Sequence, residues 1–127
     1  MVSFEAFRAV DGAPVYLQII NFIKRGAIAG TIRDGDELPS RRVLSALLGI
    51  NPNTVQKAFH ILEEEHLMES RTGAKSCMTL PPDTLDALRR EVLSDELRAM
   101  ARTLRQLGIS KEEALHLIEQ AWEEEAQ

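Results

Sequence analysis

Asn53, Gln56 and Lys57, with Asn51, Thr54 and His60 close by, are the residues of this chain whose types and spacing fit one chemistry, the reading of a duplex nucleic acid. A planar amide donates and accepts at once, so Asn53 and Gln56 can each pair bidentately with adenine, while Thr54 and Lys57 suit phosphate oxygens. All of them fall in one short run, Asn51-Pro52-Asn53-Thr54-Val55-Gln56-Lys57-Ala58-Phe59-His60-Ile61-Leu62. Asn51 can accept from a backbone N–H as N-cap, and Pro52 suits the first helical position, where its missing N–H costs nothing. Val55, Ala58, Phe59 and Leu62 then recur at spacings of three and four and mark a buried face. Asn53, Thr54, Gln56, Lys57 and His60 are left on the outer face. For Asn51 and Thr54 the competing reading is plain capping of this helix.

The elements around this run would have to present it. A first helix is expected from about Pro14 to Ala29, with Tyr16, Ile19, Ile20, Ile23, Ala27 and Ile28 as its apolar stripe and Gly30 as its stop. Asp34-Gly35-Asp36 signals a turn, and Leu38-Pro39 is too short for more than a bridging strand. Ser40 stands where an N-cap is wanted, so a second helix runs from Arg41 to Leu48 and offers Val43, Leu44, Leu47 and Leu48 to a core. Gly49 can supply the left-handed turn into the third helix. Two helices joined by so tight a turn are suited to placing the second helix's N-terminus in a major groove, with Ser40, Arg41 and Arg42 near the sugar-phosphate backbone. After the third helix, short extended segments from Leu67 to Arg71 and from Ser76 to Thr79 flank Thr72-Gly73-Ala74-Lys75 and read as a small hairpin.

Three separate stretches carry a family resemblance: Pro14-Val15-Tyr16-Leu17-Gln18-Ile19, Leu38-Pro39-Ser40-Arg41-Arg42, and Ile50-Asn51-Pro52-Asn53-Thr54-Val55-Gln56-Lys57-Ala58. Together they resemble the winged-helix domain of the GntR family of bacterial transcription regulators, and the last run, with a short C-terminal part, is similar to the YtrA-like subfamily. The resemblance spans nearly the whole chain. It implies that Arg42 contacts DNA, that Asn53 reads bases and that Gly73 lies in the wing. Some positions depart from the pattern. His66 stands where a glycine usually follows the recognition helix, so another residue type must take up that turn. In the wing, Gly-x-Gly becomes Gly73-Ala74-Lys75, which loses a glycine and gains a cation able to reach a phosphate or the minor groove. Cys77 replaces an aromatic, and Ser45 replaces an alanine as a minor core adjustment.

Pro81-Pro82 divides the chain into an expected winged helix-turn-helix domain, residues 1–80, and a helical segment, residues 81–127. In that segment Leu85, Leu88, Val92, Leu97, Met100, Leu104 and Leu107 keep helical spacing up to Gly108. Ser110-Lys111-Glu112-Glu113 then fits a capping box that restarts a helix bearing Leu115, Ile118, Ala121 and Trp122. Two amphipathic helices of this length cannot bury both stripes by themselves. The resemblance implies a homodimer built on these stripes; folding back onto the chain's own winged domain is the alternative.

The net charge of −5 is unevenly placed. Residues 1–80 hold nine Lys+Arg and nine Asp+Glu, whereas residues 81–127 hold six and eleven. A local cationic face made by Arg41, Arg42, Lys57, Arg71 and Lys75 can therefore coexist with an acidic chain, although strong non-specific DNA affinity is not expected. One cysteine excludes an intramolecular disulfide framework and fits a reducing compartment. With no apolar run of membrane-spanning length and no leader pattern at Met1, a cytoplasmic protein without membrane partners is expected. His60, His66 and His116 share no metal-ligand spacing, and Cys77 reads as a small core residue. Neither an enzyme nor a cofactor is expected.

The sequence thus predicts a mainly α fold with a small β-hairpin, a winged helix-turn-helix domain followed by a short two-helix dimerisation segment. The function expected is a transcription regulator, a repressor by resemblance, that binds a pseudo-palindromic double-stranded operator as a homodimer and controls transporter genes. The alternative is a winged-helix protein-interaction module that binds no operator. A small-molecule effector, if the protein has one, would sit at the dimer interface or beside the winged domain.

Overall fold

The computed structural model describes residues 1–71 and 75–126. The elements run α1 (Val15–Ala29), β1 (Glu37–Leu38), α2 (Arg41–Leu48), α3 (Pro52–Glu64), β2 (Met68–Arg71), β3 (Lys75–Met78), α4 (Pro82–Gln106) and α5 (Lys111–Glu125). They fall into two compact units, Met1–Arg89 and Arg90–Gln127.

In the first unit α1 and α2 pack against α3, and the hairpin follows. Ile19, Ile20, Ile23 and Ala27 of α1 meet Val55, Ala58, Phe59 and Leu62 of α3 in the core. Gly30 takes φ 87° and stops α1 at the residue the sequence marks. The sheet has the order β1-β3-β2, all antiparallel, with Leu38 opposite Ser76 and Ser70 opposite Ser76 on the other side. The bridging strand expected at Leu38 is thus Glu37–Leu38, and it converts the hairpin into a three-stranded sheet. Cys77 is buried as a core residue.

Two local features depart from a simple reading. In α2 the buried edge is centred on Leu44 and Ser45, so Val43 and Leu47, expected in the core, are exposed. On that edge the Ser45 hydroxyl donates to the Ile50 carbonyl and Ile50 N–H donates to the Ser45 carbonyl, so the buried serine is satisfied in the turn that leads to α3. At the other end of α3, His66 takes φ 61°, the one described non-glycine residue with positive φ. Leu67 N–H donates to the Leu62 carbonyl and His66 N–H to the Glu63 carbonyl, so the α3 terminus is closed by a left-handed residue that carries a side chain.

The N-terminal residues, given no role by spacing, supply core. Val2, Phe4 and Phe7 are buried, and the Phe4 and Phe7 rings meet the Phe22 ring at centroid distances of 5.3 and 5.5 Å. Val2 N–H donates to the Glu37 carbonyl, which fastens this segment to β1. Gln18 bonds to both Val10 and Ala13 through its amide and fixes the approach to α1.

The first unit runs past Pro81-Pro82 to Arg89 and so includes the opening turns of α4. Leu88 is buried there at 5% exposure. Spacing puts it on the proposed dimerisation stripe, and its side chain is covered within the first unit. In the second unit Gly108, at φ 78°, separates the helices, and the Ser110 hydroxyl caps α5 by accepting from Glu113 N–H. Leu97, Met100, Leu107, Leu115, Ile118 and Trp122 are exposed, Trp122 at 73%. Leu93 and Leu117, which lie outside the stripes drawn from spacing, are exposed with them. No helix among the described residues is long and apolar enough to cross a membrane.

Candidate nucleic-acid interface

The start of α3 is fixed by one residue that satisfies an orphan N–H and one that has no N–H to satisfy, without using the outer face. Asn51 Oδ1 accepts from Asn53 N–H at 2.8 Å, and Pro52 occupies the first turn. That oxygen is committed to capping. Asn53, Gln56, Lys57 and His60 project outward and are exposed, while Thr54 is half-buried. One turn of helix therefore carries two planar amides and a cation on a single open surface.

Opposite this surface lies the N-terminus of α2. Ser40 Oγ accepts from Val43 N–H at 3.2 Å, which caps the helix and leaves the hydroxyl proton free to donate elsewhere. Arg41 and Arg42 follow, both exposed and neither with a hydrogen bond or ion pair among the described residues. Ser40, Arg41 and Arg42 line a groove of about 540 Å³ with Gln56 and His60 of α3 and with Ser70 and Ser76 of the sheet. A second groove of about 500 Å³ lies between Arg41, Arg42, Ala46 and Pro52. Both arginines thus line open grooves beside α3. Their guanidinium forks can bind a phosphate bidentately.

Lys57 is positioned by a residue from another element. Its ammonium lies over the Tyr16 ring at 4.1 Å from the centroid. A cation so placed gains about 0.5–1 kcal/mol at an exposed site, enough to bias an otherwise mobile side chain. Spacing puts Tyr16 on the α1 apolar stripe, yet it is half-buried and its ring faces the cation. Helical periodicity cannot separate a core aromatic from one at the core's edge.

The remaining candidates are less free. His60 Nε2 lies 2.8 Å from Glu64 Oε1 one turn on, an ion pair when the imidazole is protonated. Glu63 Oε1 accepts from Ser70 Oγ at 2.7 Å, so an acid that lines the groove is turned to the wing strand. Lys75 is exposed and its ammonium lies 3.9 Å from Glu37, and Arg71 meets Glu69 at 3.3 Å. These two cations are partly offset by the sheet's own acids. Gly73 lies outside the described residues. No group of three or more His, Cys, Asp or Glu residues among the described ones could hold a metal ion.

Residues 15–75 match the sequence profile described as bacterial regulatory proteins, gntR family. The chain is 30% identical over 105 residues to the HTH-type transcriptional regulator YhcF of Bacillus subtilis, an alignment that covers 83% of this chain and 87% of that protein. It is 41% identical over 63 residues to the HTH-type transcriptional repressor YtrA of the same organism, covering 50% of this chain and 48% of that one. Among solved structures, a GntR family transcriptional regulator from Listeria monocytogenes superposes with a TM-score of 0.81 at 28% identity, over 88% of this chain and 98% of that one.

Proposed function

Because the chain belongs to the GntR family of bacterial regulatory proteins and is a YtrA-like DNA-binding regulator of transcription, we propose that it acts in the cytoplasm as a homodimeric repressor of a pseudo-palindromic operator. The observation that carries this reading is the groove that brings Arg41 and Arg42 of α2 beside Gln56 and His60 of α3. Each α3 would lie in a major groove with Asn53 and Gln56 toward base edges. Arg41, Arg42, Lys57, Ser40 and Thr54 would meet phosphates, with His60 and Lys75 at the margins. Asn51 contributes through the cap, which fixes where the helix begins.

Repression is supported by the similarity to YtrA, which is described as a repressor. An operator occupied by both subunits would block polymerase, and neighbouring transporter genes are the targets that the subfamily resemblance suggests. The dimer is supported by the exposed apolar side chains of Arg90–Gln127, which line open grooves of about 530 and 640 Å³. An effector, if one acts, would bind where those grooves meet a second subunit.

The test is to sequence the DNA fragments that the purified protein retains from its own genome, then to follow affinity for the enriched site against salt. A two-fold symmetric site and a steep loss of affinity with salt are expected. Retention of no common sequence, with affinity indifferent to salt, would instead indicate a winged domain that docks proteins.

A further inference from the structure

The second unit separates its charges by helix. From Leu97 to Gln106, α4 carries Arg98, Arg102 and Arg105 and no acid, whereas α5 carries six glutamates and one lysine. Arg98, Arg102 and Arg105 stand at i, i+4 and i+7, so they form one edge of α4, separated from the apolar edge of Leu97 and Leu104 only by Ala101. That edge is open, and the three arginines line a groove of about 530 Å³. On α5, Glu112, Glu119 and Glu123 stand at i, i+7 and i+11, one edge again, beside Leu115 and Trp122. All six side chains are exposed, and none has an ion-pair partner among the described residues.

We propose that the partner covering this face is a second copy of the chain, seated so that the arginine edge of α4 in each subunit meets the glutamate edge of α5 in the other. The inference rests on the homodimer proposed above and adds the pairing that selects it. An occupant of this surface must cover an apolar face and meet three cations beside it; α5 of another copy supplies both, an apolar face flanked by three acids. Two pairs can register, since Arg98 to Arg105 and Glu112 to Glu119 each span seven residues, about 10.5 Å along a helix, while Arg102 lies between the two arginines and Glu123 lengthens the acidic edge by one turn. In a two-fold dimer the contact occurs twice, so the two charge edges are satisfied together. The same arrangement rejects related regulators whose helices carry other charge patterns, because like charges would then face each other.

The experiment uses three full-length proteins in analytical ultracentrifugation, with circular dichroism as the check on folding. One is the wild type, one carries Arg98→Glu, Arg102→Glu and Arg105→Glu, and one carries Glu112→Arg, Glu119→Arg and Glu123→Arg. Each reversed protein should dimerise at least about tenfold more weakly than the wild type, and an equimolar mixture of the two should recover a heterodimer of near wild-type affinity. Wild-type dimer dissociation should also rise by about tenfold between roughly 50 and 500 mM sodium chloride, which tests the pairing even if a variant loses helicity. Reversed proteins that self-associate like the wild type, a mixture of folded variants that stays monomeric, or a wild-type dimer indifferent to salt would each overturn the pairing and leave the dimer standing. A wild type that is monomeric at all concentrations would overturn both.

Discussion

Lys57 illustrates how a single residue can carry more than its charge. Its ammonium is held over the Tyr16 ring, so the phosphate contact proposed for it would depend on a residue of α1 that need touch no DNA. We expect Lys57→Ala and Arg42→Ala to weaken binding to every DNA sequence alike, with the thermal midpoint unchanged for Arg42→Ala and lowered by no more than a few degrees for Lys57→Ala, which loses the contact with Tyr16. Each should make the log-affinity against log-salt line shallower by about 0.9 for every phosphate that is no longer neutralised. Unchanged slopes in both variants would place these cations outside the interface. His66 makes a separate claim at this scale. It is exposed at φ 61°, where a Cβ is costly, and its backbone bonds do not need a side chain. His66→Gly should therefore raise stability by about 1 kcal/mol, seen as a higher urea midpoint with an unchanged slope. A lower midpoint would mean that the imidazole makes a compensating contact. The turn at His66 was legible through the resemblance, which puts a glycine at that position. The partnership of Lys57 with Tyr16 was not, since it joins residues of different helices and periodicity describes only one helix at a time.

At the scale of elements, α3 was the most legible part of the chain. Asn51, Pro52 and the spacing of Val55, Ala58, Phe59 and Leu62 fix its start, its inner face and, by subtraction, its outer one. Where one face is fully apolar and the other fully polar, the period settles the orientation. In α2 that logic failed. The helix offers apolar residues on more than one side, and the polar Ser45 takes the buried edge because its hydroxyl finds the Ile50 carbonyl. A side-chain hydrogen bond of this kind, made within the turn that leads to α3, has no signature in hydropathy. The first residues of the chain were illegible for a related reason, because Val2, Phe4 and Phe7 pack without regular structure and so show no period. The legible part of α3 yields the sharpest prediction about readout. Asn53→Ala and Gln56→Ala should each relax preference at particular base pairs, by roughly 1–3 kcal/mol of discrimination per bidentate amide–adenine pair, while total affinity for non-cognate DNA hardly changes. Binding-site logos selected with the variants check this. Logos that match the wild type at every position would remove both amides from base readout.

For the whole molecule, the proposed homodimer raises the question of what joins two reading heads. Pro81-Pro82 looks like the division in the sequence, yet Leu88 is buried in the unit that ends at Arg89, because the opening turns of α4 complete that unit's core. A truncation that removes residues 83–127 would take Leu88 away and open a cavity, a loss of about 2–5 kcal/mol for a buried leucine. Removing residues 90–127 keeps it, and should leave a folded monomer whose melting resembles that of the intact first unit. That monomer should bind the operator far more weakly than the intact protein, by a larger factor than any single side chain accounts for, because the second half-site loses the effective concentration that the first provides. The same reasoning fixes the geometry of the operator. A two-fold dimer with one α3 per half-site needs half-site centres about 10 base pairs apart, or a multiple of that, so that both helices enter from one side of the duplex. Inserting about 5 base pairs between the half-sites turns one of them to the opposite face, which the intact protein should tolerate no better than the loss of a half-site, while inserting about 10 should restore much of the affinity. The truncated monomer, having no partner to align, should be indifferent to both insertions. Gel-shift titrations of the two proteins on the three operators make the comparison, and equal affinity of the intact protein for all three would show that its two reading heads are not joined in the way proposed.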